Sequence, residues 1–78
     1  MAVMQIAATV DARGLSCPMP IVKTAMAVKT IPSGVAFELL STDAGSTKDV
    51  AAWCHATGNE LVDQTSDGGV YRFVILRK

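Results

Sequence analysis

One cysteine, set in Gly14-Leu15-Ser16-Cys17-Pro18-Met19-Pro20, is the residue of this chain best placed to do chemistry. A cysteine acts as a nucleophile only as the thiolate, so what matters is whether its surroundings favour that charge. A proline suits the first position of a helix, where its missing N–H would have had no partner, so Pro18 is predicted to open a helix and Cys17 to fall at its cap. Unpaired backbone N–H groups converge there. With the positive end of the helix dipole they would lower the thiol pKa from about 8.5 toward roughly 3.5 to 7.5. The stretch reads as a reactive sulfur held in a fixed pose, against the plainer reading of a small buried hydrophobe.

Few other residues compete for that role. Arg13, in the turn before the cysteine, reads equally as a group that steers an anion and as a surface arginine. Lys23 reads more simply as a solvated lysine on the helix face, since it adds charge near the thiol only by reaching back toward the helix start. Asp11 and Asp43, near strand ends, are expected to accept turn N–H groups through their carboxylates. Cys54 shares a predicted helical stripe with Val50, Trp53 and Thr57, so it reads as a core residue rather than a resolving thiol. His55 is the only histidine and has no motif that would orient it toward Cys17, which speaks against a protease-like pair. Trp53, Met4, Met19 and Met26 read as core and rim residues, with Met19 between the two prolines also a candidate partner contact.

The 78 residues are expected to form one domain over 1–78, with no room for a second core. Half of them are hydrophobic and 18% are charged, far from the composition of disordered chains. Seven basic and seven acidic residues cancel, which leaves no net field to hold nucleic acid or an anionic membrane at long range. The apolar N-terminus has no basic region and no run long enough for a signal peptide or a membrane span, so a cytoplasmic location with two free thiols is expected. Neither Cys-x-x-C nor a Cys/His zinc spacing occurs. No metal and no cofactor are expected.

The elements that must position Cys17 follow from periodicity and turn signals. Ile6, Ala8 and Val10 alternate with Ala7, Thr9 and Asp11, which predicts a strand ending at Asp11-Ala12-Arg13-Gly14, after which Leu15 plugs inward. Ile21, Val22, Ala25 and Val28 recur at helical spacing and predict a helix over 18–30, ended by Ile31-Pro32-Ser33-Gly34. A second strand over 35–40 places Val35, Phe37 and Leu39 on one face. A second helix spans about 47–57 and closes at Gly58, and two strands over 60–66 and 70–77 join at Asp67-Gly68-Gly69. The order βαβαββ predicts an α/β two-layer sandwich: a mixed four-stranded sheet with both helices on one face. The opposite face would stay open, exposing some of Ala36, Glu38, Leu40, Arg72, Val74 and Leu76 as a docking surface.

Asp11-Ala12-Arg13-Gly14-Leu15-Ser16-Cys17-Pro18-Met19-Pro20 resembles the signature of the TusA/SirA sulfur-carrier family, a Cys-Pro-x-Pro sequence after an Asp-x-x-Gly-Leu turn. The likeness continues through Ile21-Val22-Lys23, Ser33-Gly34, Thr42-Asp43, Val50-Ala51-Ala52-Trp53-Cys54, Gly58 and Tyr71-Arg72-Phe73, so it covers nearly the whole chain. Two positions depart from the pattern. Ala44 stands where the family often has proline after the aspartate, which would loosen that loop, and Met26 stands where many members carry a basic residue, which would weaken a charged partner contact.

The resemblance implies a sandwich like the C-terminal domain of translation initiation factor 3, and a Cys17 that carries sulfur as a persulfide. It implies a sulfurtransferase that works as a relay, with Gly14, Leu15, Pro18 and Pro20 as supporting motif residues and Arg13, Met19 and Lys23 as contacts for an anion or a partner. The partners implied are a sulfur donor of the cysteine desulfurase or rhodanese type and a sulfur-acceptor protein. A membrane protein can stand among them without insertion of this chain, and direct nucleic-acid binding is not expected. Two other classes stay open on the residues alone: a regulatory or interaction module using the open sheet face, for which Cys17 is incidental, and a nucleic-acid-binding domain suggested only by the fold analogy.

Overall fold

The computed structural model describes residues 6–16 and 18–78. Cys17 and Met4, on which two of the readings above fall, lie outside the described residues. The elements run β1 (Ile6–Ala12), α1 (Met19–Ala27), one 3-10 turn (Val28–Thr30), β2 (Ala36–Ser41), α2 (Ser46–Thr57), β3 (Glu60–Asp67) and β4 (Val70–Leu76). The sheet order is β1-β2-β4-β3, with β1 parallel to β2 and β4 antiparallel to both of its neighbours. This is the predicted mixed sheet carrying two helices.

The central strands β2 and β4 build the core because their alternate residues pair across the ladder. Phe37 lies opposite Ile75 and Leu39 opposite Phe73, and all four are fully buried. Val10 and Ala12 of β1 and Val50 and Cys54 of α2 join the same cluster, with Leu15, Ile21 and Trp53 half-buried against it. The pairing of β4 with β2 assigns the faces of its apolar run. The β3–β4 turn is Gly68-Gly69, both at positive φ (57° and 84°), as the tight hairpin turn that matches strand twist requires.

Several one-sided expectations are corrected. Ile6 and Ala8 are exposed rather than facing the core, because β1 is an edge strand whose register with β2 shifts between Ile6 and Thr9. In α1 the inward residues are Pro20 and Thr24, both fully buried, while Val22 is exposed. Burial of the threonine is tolerated because its hydroxyl donates to Pro20 O at 2.8 Å. In α2 the buried row is Ser46, Val50 and Cys54, and Thr57 points to solvent with its hydroxyl on Trp53 O (2.7 Å). Ser46 is satisfied by Ser41 Oγ at 2.6 Å.

The sheet face away from the helices is also less open than expected. Ala36 and Val74 are buried and Glu38, Leu40, Arg72 and Leu76 are half-buried. A polar cluster crosses the middle of this face: Arg72 Nε donates to Glu38, and Thr9 Oγ1 donates to Glu38 Oε1 at 3.1 Å. Such cross-strand pairs cover apolar neighbours with the methylene stems of the charged side chains.

Candidate functional site

The loop that leads into Cys17 is a tight turn tied from three directions. Leu15 N–H donates to Ala12 O at 3.2 Å, and Gly14 sits at the third position of that turn with φ +81°. A positive φ there is what a type II turn demands and what glycine adopts without strain; open space surrounds the position, so conformation rather than crowding selects the residue. The first tie is Asp11, whose carboxylate accepts from Arg13 N–H (3.1 Å), Nε (2.9 Å) and Nη2 (2.9 Å). The second is Lys23, whose ammonium crosses from α1 to donate to Asp11 O. The third is Thr42, just past the end of β2, whose hydroxyl accepts Gly14 N–H at 2.8 Å.

These contacts revise the roles read from sequence. Asp11 does serve the turn, and so does Asp43, which accepts Gly45 N–H at 3.2 Å. Lys23, though exposed, is not simply solvated: its ammonium donates to Asp11 O at the end of β1. Arg13 is engaged by Asp11 in a two-point ion pair, so much of its field is neutralised locally. The hydrogen bonds from Arg13, more than its charge alone, hold the Asp11 carboxyl down to about 2, and the Arg13 guanidinium is pushed up in turn. Because the carboxyl pKa is depressed on folding, the pair is intact above the ordinary carboxylate range and is lost as pH falls through about 2. An NMR titration should place the Asp11 midpoint near that value, and Arg13→Gln should return it toward the usual range near 4.

The helix start differs from the expected cap. Helix α1 begins at Met19, with Pro18 at the N-cap and Pro20 in the first turn, so Cys17 precedes the cap by one residue. The expected fan of free donors is also reduced. Both prolines lack an N–H, Met19 N–H donates to Ser16 O (2.9 Å), and Ile21 and Val22 N–H both donate to Pro18 O (3.1 Å each). What remains at this end is the net dipole of a short helix, a weaker bias toward a thiolate than a cluster of unpaired amides.

Beside this loop, on α1 and α2, lies exposed apolar surface. Met19, Val22 and Met26 form one exposed stripe along α1, at 46%, 40% and 66% exposure, so Met19 and Met26 are surface rather than core residues. On the other side of Pro18 lies a shallow open groove of about 440 Å³, lined by Pro18, Ile21, Asp49, Ala52, Trp53 and Ala56. This groove was not among the features expected from the sequence. Its signal was the pairing of small residues, Ala52 and Ala56, one helical turn apart beside Trp53, which lets α1 and α2 leave a trough between them.

Cys54 lies in the core at 3% exposure, as its stripe predicted, and burial pushes its thiol up to about 11. A thiol so raised stays protonated in the fold, so its contribution to stability is complete below the ordinary thiol pKa and is lost as pH rises from about 9 toward 11. Iodoacetamide at pH 8 should therefore leave Cys54 unmodified in the native protein and label it once denaturant is added; peptide mapping reads both outcomes. His55 is exposed on α2. Among the described residues no group of three or more His, Cys, Asp or Glu could hold a metal ion, and no helix is long and apolar enough to cross a membrane.

The described residues form a small mixed-sheet α+β protein whose β1–α1 loop is braced at Asp11 and Gly14 and lies beside an exposed apolar stripe on α1. The sequence model described as "Sulfurtransferase TusA" matches residues 8–77. The chain is 43% identical over 65 residues to a putative sulfur carrier protein, YrkI, of Bacillus subtilis, covering 83% of this chain and 87% of that one. It is 44% identical over 71 residues to a putative sulfur carrier protein of Halobacterium salinarum (90% and 88% covered), and 40% identical over 65 residues to the sulfur carrier protein TusA of Allochromatium vinosum (83% and 86% covered). The chain belongs to the TusA family.

Proposed function

We propose that this protein is a sulfur carrier in which Cys17 receives a sulfane sulfur as a persulfide and passes it to a partner protein. The observation that carries the reading is the family match over residues 8–77, which spans the Cys17 motif, with relatives over most of the chain named as sulfur carriers. In the first step the Cys17 thiolate attacks the outer sulfur of a donor persulfide. A sulfur–sulfur bond forms at Cys17 and the donor's own sulfur–sulfur bond breaks, releasing the donor thiolate. In the second step an acceptor thiolate attacks the outer sulfur on Cys17, and Cys17 leaves as a thiolate. Each exchange conserves electrons, so no external oxidant or reductant is consumed.

The described surroundings suit a relay better than a self-contained active site. The groove beside Pro18 is open and shallow, and the stripe of Met19, Val22 and Met26 adjoins the motif, so a partner surface can reach the loop directly. Apolar, pliable methionines favour docking to more than one partner. The loop ties and the two prolines reduce the ordering needed on contact. Donors of the cysteine desulfurase or rhodanese type, and acceptors bearing a reactive thiol, fit this chemistry.

The test is to incubate the protein with a cysteine desulfurase and cysteine, or with a rhodanese and thiosulfate, and read its intact mass. The expected product carries one additional sulfur atom, removed by a thiol reductant. Equal loading of Cys17→Ala would overturn the proposal.

A further inference from the structure

We infer that Thr42 is a positioning residue for the loop that leads into Cys17: its hydroxyl, brought in from the end of β2, accepts the N–H of Gly14, the third residue of the Ala12–Leu15 turn. The inference rests on the carrier reading above for its biological meaning, but its physical basis is separate. A type II turn closes on the hydrogen bond between its first and fourth residues, here Leu15 N–H to Ala12 O at 3.2 Å. The N–H of the third residue stands outside that bond. In this chain the third residue is Gly14, at φ +81°, and its N–H goes to Thr42 Oγ1 at 2.8 Å.

The placement of Thr42 gives the contact leverage. It follows Ser41, whose own side chain is fully buried and bonded to Ser46 Oγ at 2.6 Å and to Asp43 N–H at 3.2 Å. Ser41 pairs with Ala12 in the parallel ladder of β1 and β2. Thr42 is therefore carried by the rigid end of the central strand, one residue beyond the sheet, where the β1–α1 and β2–α2 loops come together. Glycine at position 14 has the widest conformational freedom of any residue, so the loop needs an external restraint at that point. Lys23 and Arg13 hold the turn at Asp11, on its β1 side. Thr42 holds it at Gly14, between those ties and the cysteine.

The contact is made by an exposed side chain, so its loss should cost little global stability while freeing the orientation of the loop. The discriminating pair is Thr42→Val, which keeps the shape and removes the acceptor, and Thr42→Ser, which keeps the acceptor. Amide exchange of Gly14 by NMR reports the bond itself. The rate of Cys17 alkylation by iodoacetamide across pH 6 to 10 reports the presentation of the thiol without any sulfur donor. Thr42→Val is expected to speed Gly14 exchange and to change the Cys17 alkylation rate by about threefold or more, with a melting temperature within a few degrees of the parent, and Thr42→Ser to restore both. An alkylation profile for Thr42→Val that superimposes on the parent's would overturn the inference, as would failure of Thr42→Ser to restore it. Sulfur loading of the parent and of Cys17→Ser in the same series scores the carrier reading separately, because the alkylation comparison stands whichever way that loading comes out.

Discussion

Replacing Cys17 with serine is expected to abolish sulfur transfer through this protein, reducing donor-dependent delivery to an acceptor thiol by at least about a hundredfold. A serine hydroxyl is far less acidic than a thiol and forms no persulfide, so both exchange steps fail together rather than one slowing. The measurement is a coupled assay with a cysteine desulfurase, cysteine and an acceptor dithiol, in which sulfur arriving on the acceptor is counted. The rate should fall to that seen with the carrier omitted. A thermal melt of the variant, run alongside, confirms that the protein assayed is folded. Substitution of Cys54 should lack this phenotype at equal folded fraction, because the second thiol is enclosed in the core and held protonated.

The largest effect on stability is expected from Phe37→Ala. Phe37 is fully buried at the centre of β2, opposite Ile75 on β4 and within the cluster that also includes Leu39, Phe73 and Val50. Emptying such a site costs about 3–5 kcal/mol, from lost transfer free energy and the cavity left behind. A domain of this size has a small core and correspondingly small stability, on the order of 5 kcal/mol, so most of it would be lost. The melting temperature should fall by about 15 °C or more, or the cooperative transition should disappear. Val62→Ala, at a partly exposed position on the edge strand β3, should stay within about 0.5 kcal/mol of the parent and serves as the comparison.

The order of the strands and the two α-helices was legible in the sequence from the residues that punctuate them, while the last three residues of the first predicted helix form a 3-10 turn, Val28–Thr30. Pro32 and Gly34 end the first helical stretch, Gly58 ends the second at φ +77°, and Gly68-Gly69 turns the hairpin. The Cys-Pro-x-Pro motif was legible as residue order, and Gly14, at φ +81°, takes the turn position that glycine adopts without strain. What escaped was information carried between elements. Thr24 went inward and Val22 outward because the position of α1 over the sheet, not side-chain polarity, decides which row is buried, and a hydroxyl that finds Pro20 O pays its own desolvation.

The helix cap failed as an expectation for a related reason. A proline at position 18 suggested the first residue of a helix, but the Ser16 to Met19 hydrogen bond delays the start by one residue and uses a donor that the cap argument had counted as free. The sheet face away from the helices is less open than expected because Glu38 and Arg72, which the sequence placed among the candidates for exposure, pair between β2 and β4 and are half-buried. Lys23 and Thr42 come to the β1–α1 loop from separate elements, and no spacing in the sequence relates either of them to Gly14 or Asp11. The role of Thr42 follows from the parallel pairing of β1 with β2, which sets two loops side by side at one end of the sheet, and that of Lys23 from the packing of α1 against β1.

The central claim is that the sulfur rides on Cys17. Its most direct test is peptide mapping of the donor-loaded protein after alkylation of the perthiol under native conditions, with both cysteine-containing peptides examined by tandem mass spectrometry. The account predicts an alkylated perthiol on the peptide that contains Cys17, and an unmodified thiol at Cys54. An added sulfur found on Cys54, or shared equally between the two cysteines, would contradict it.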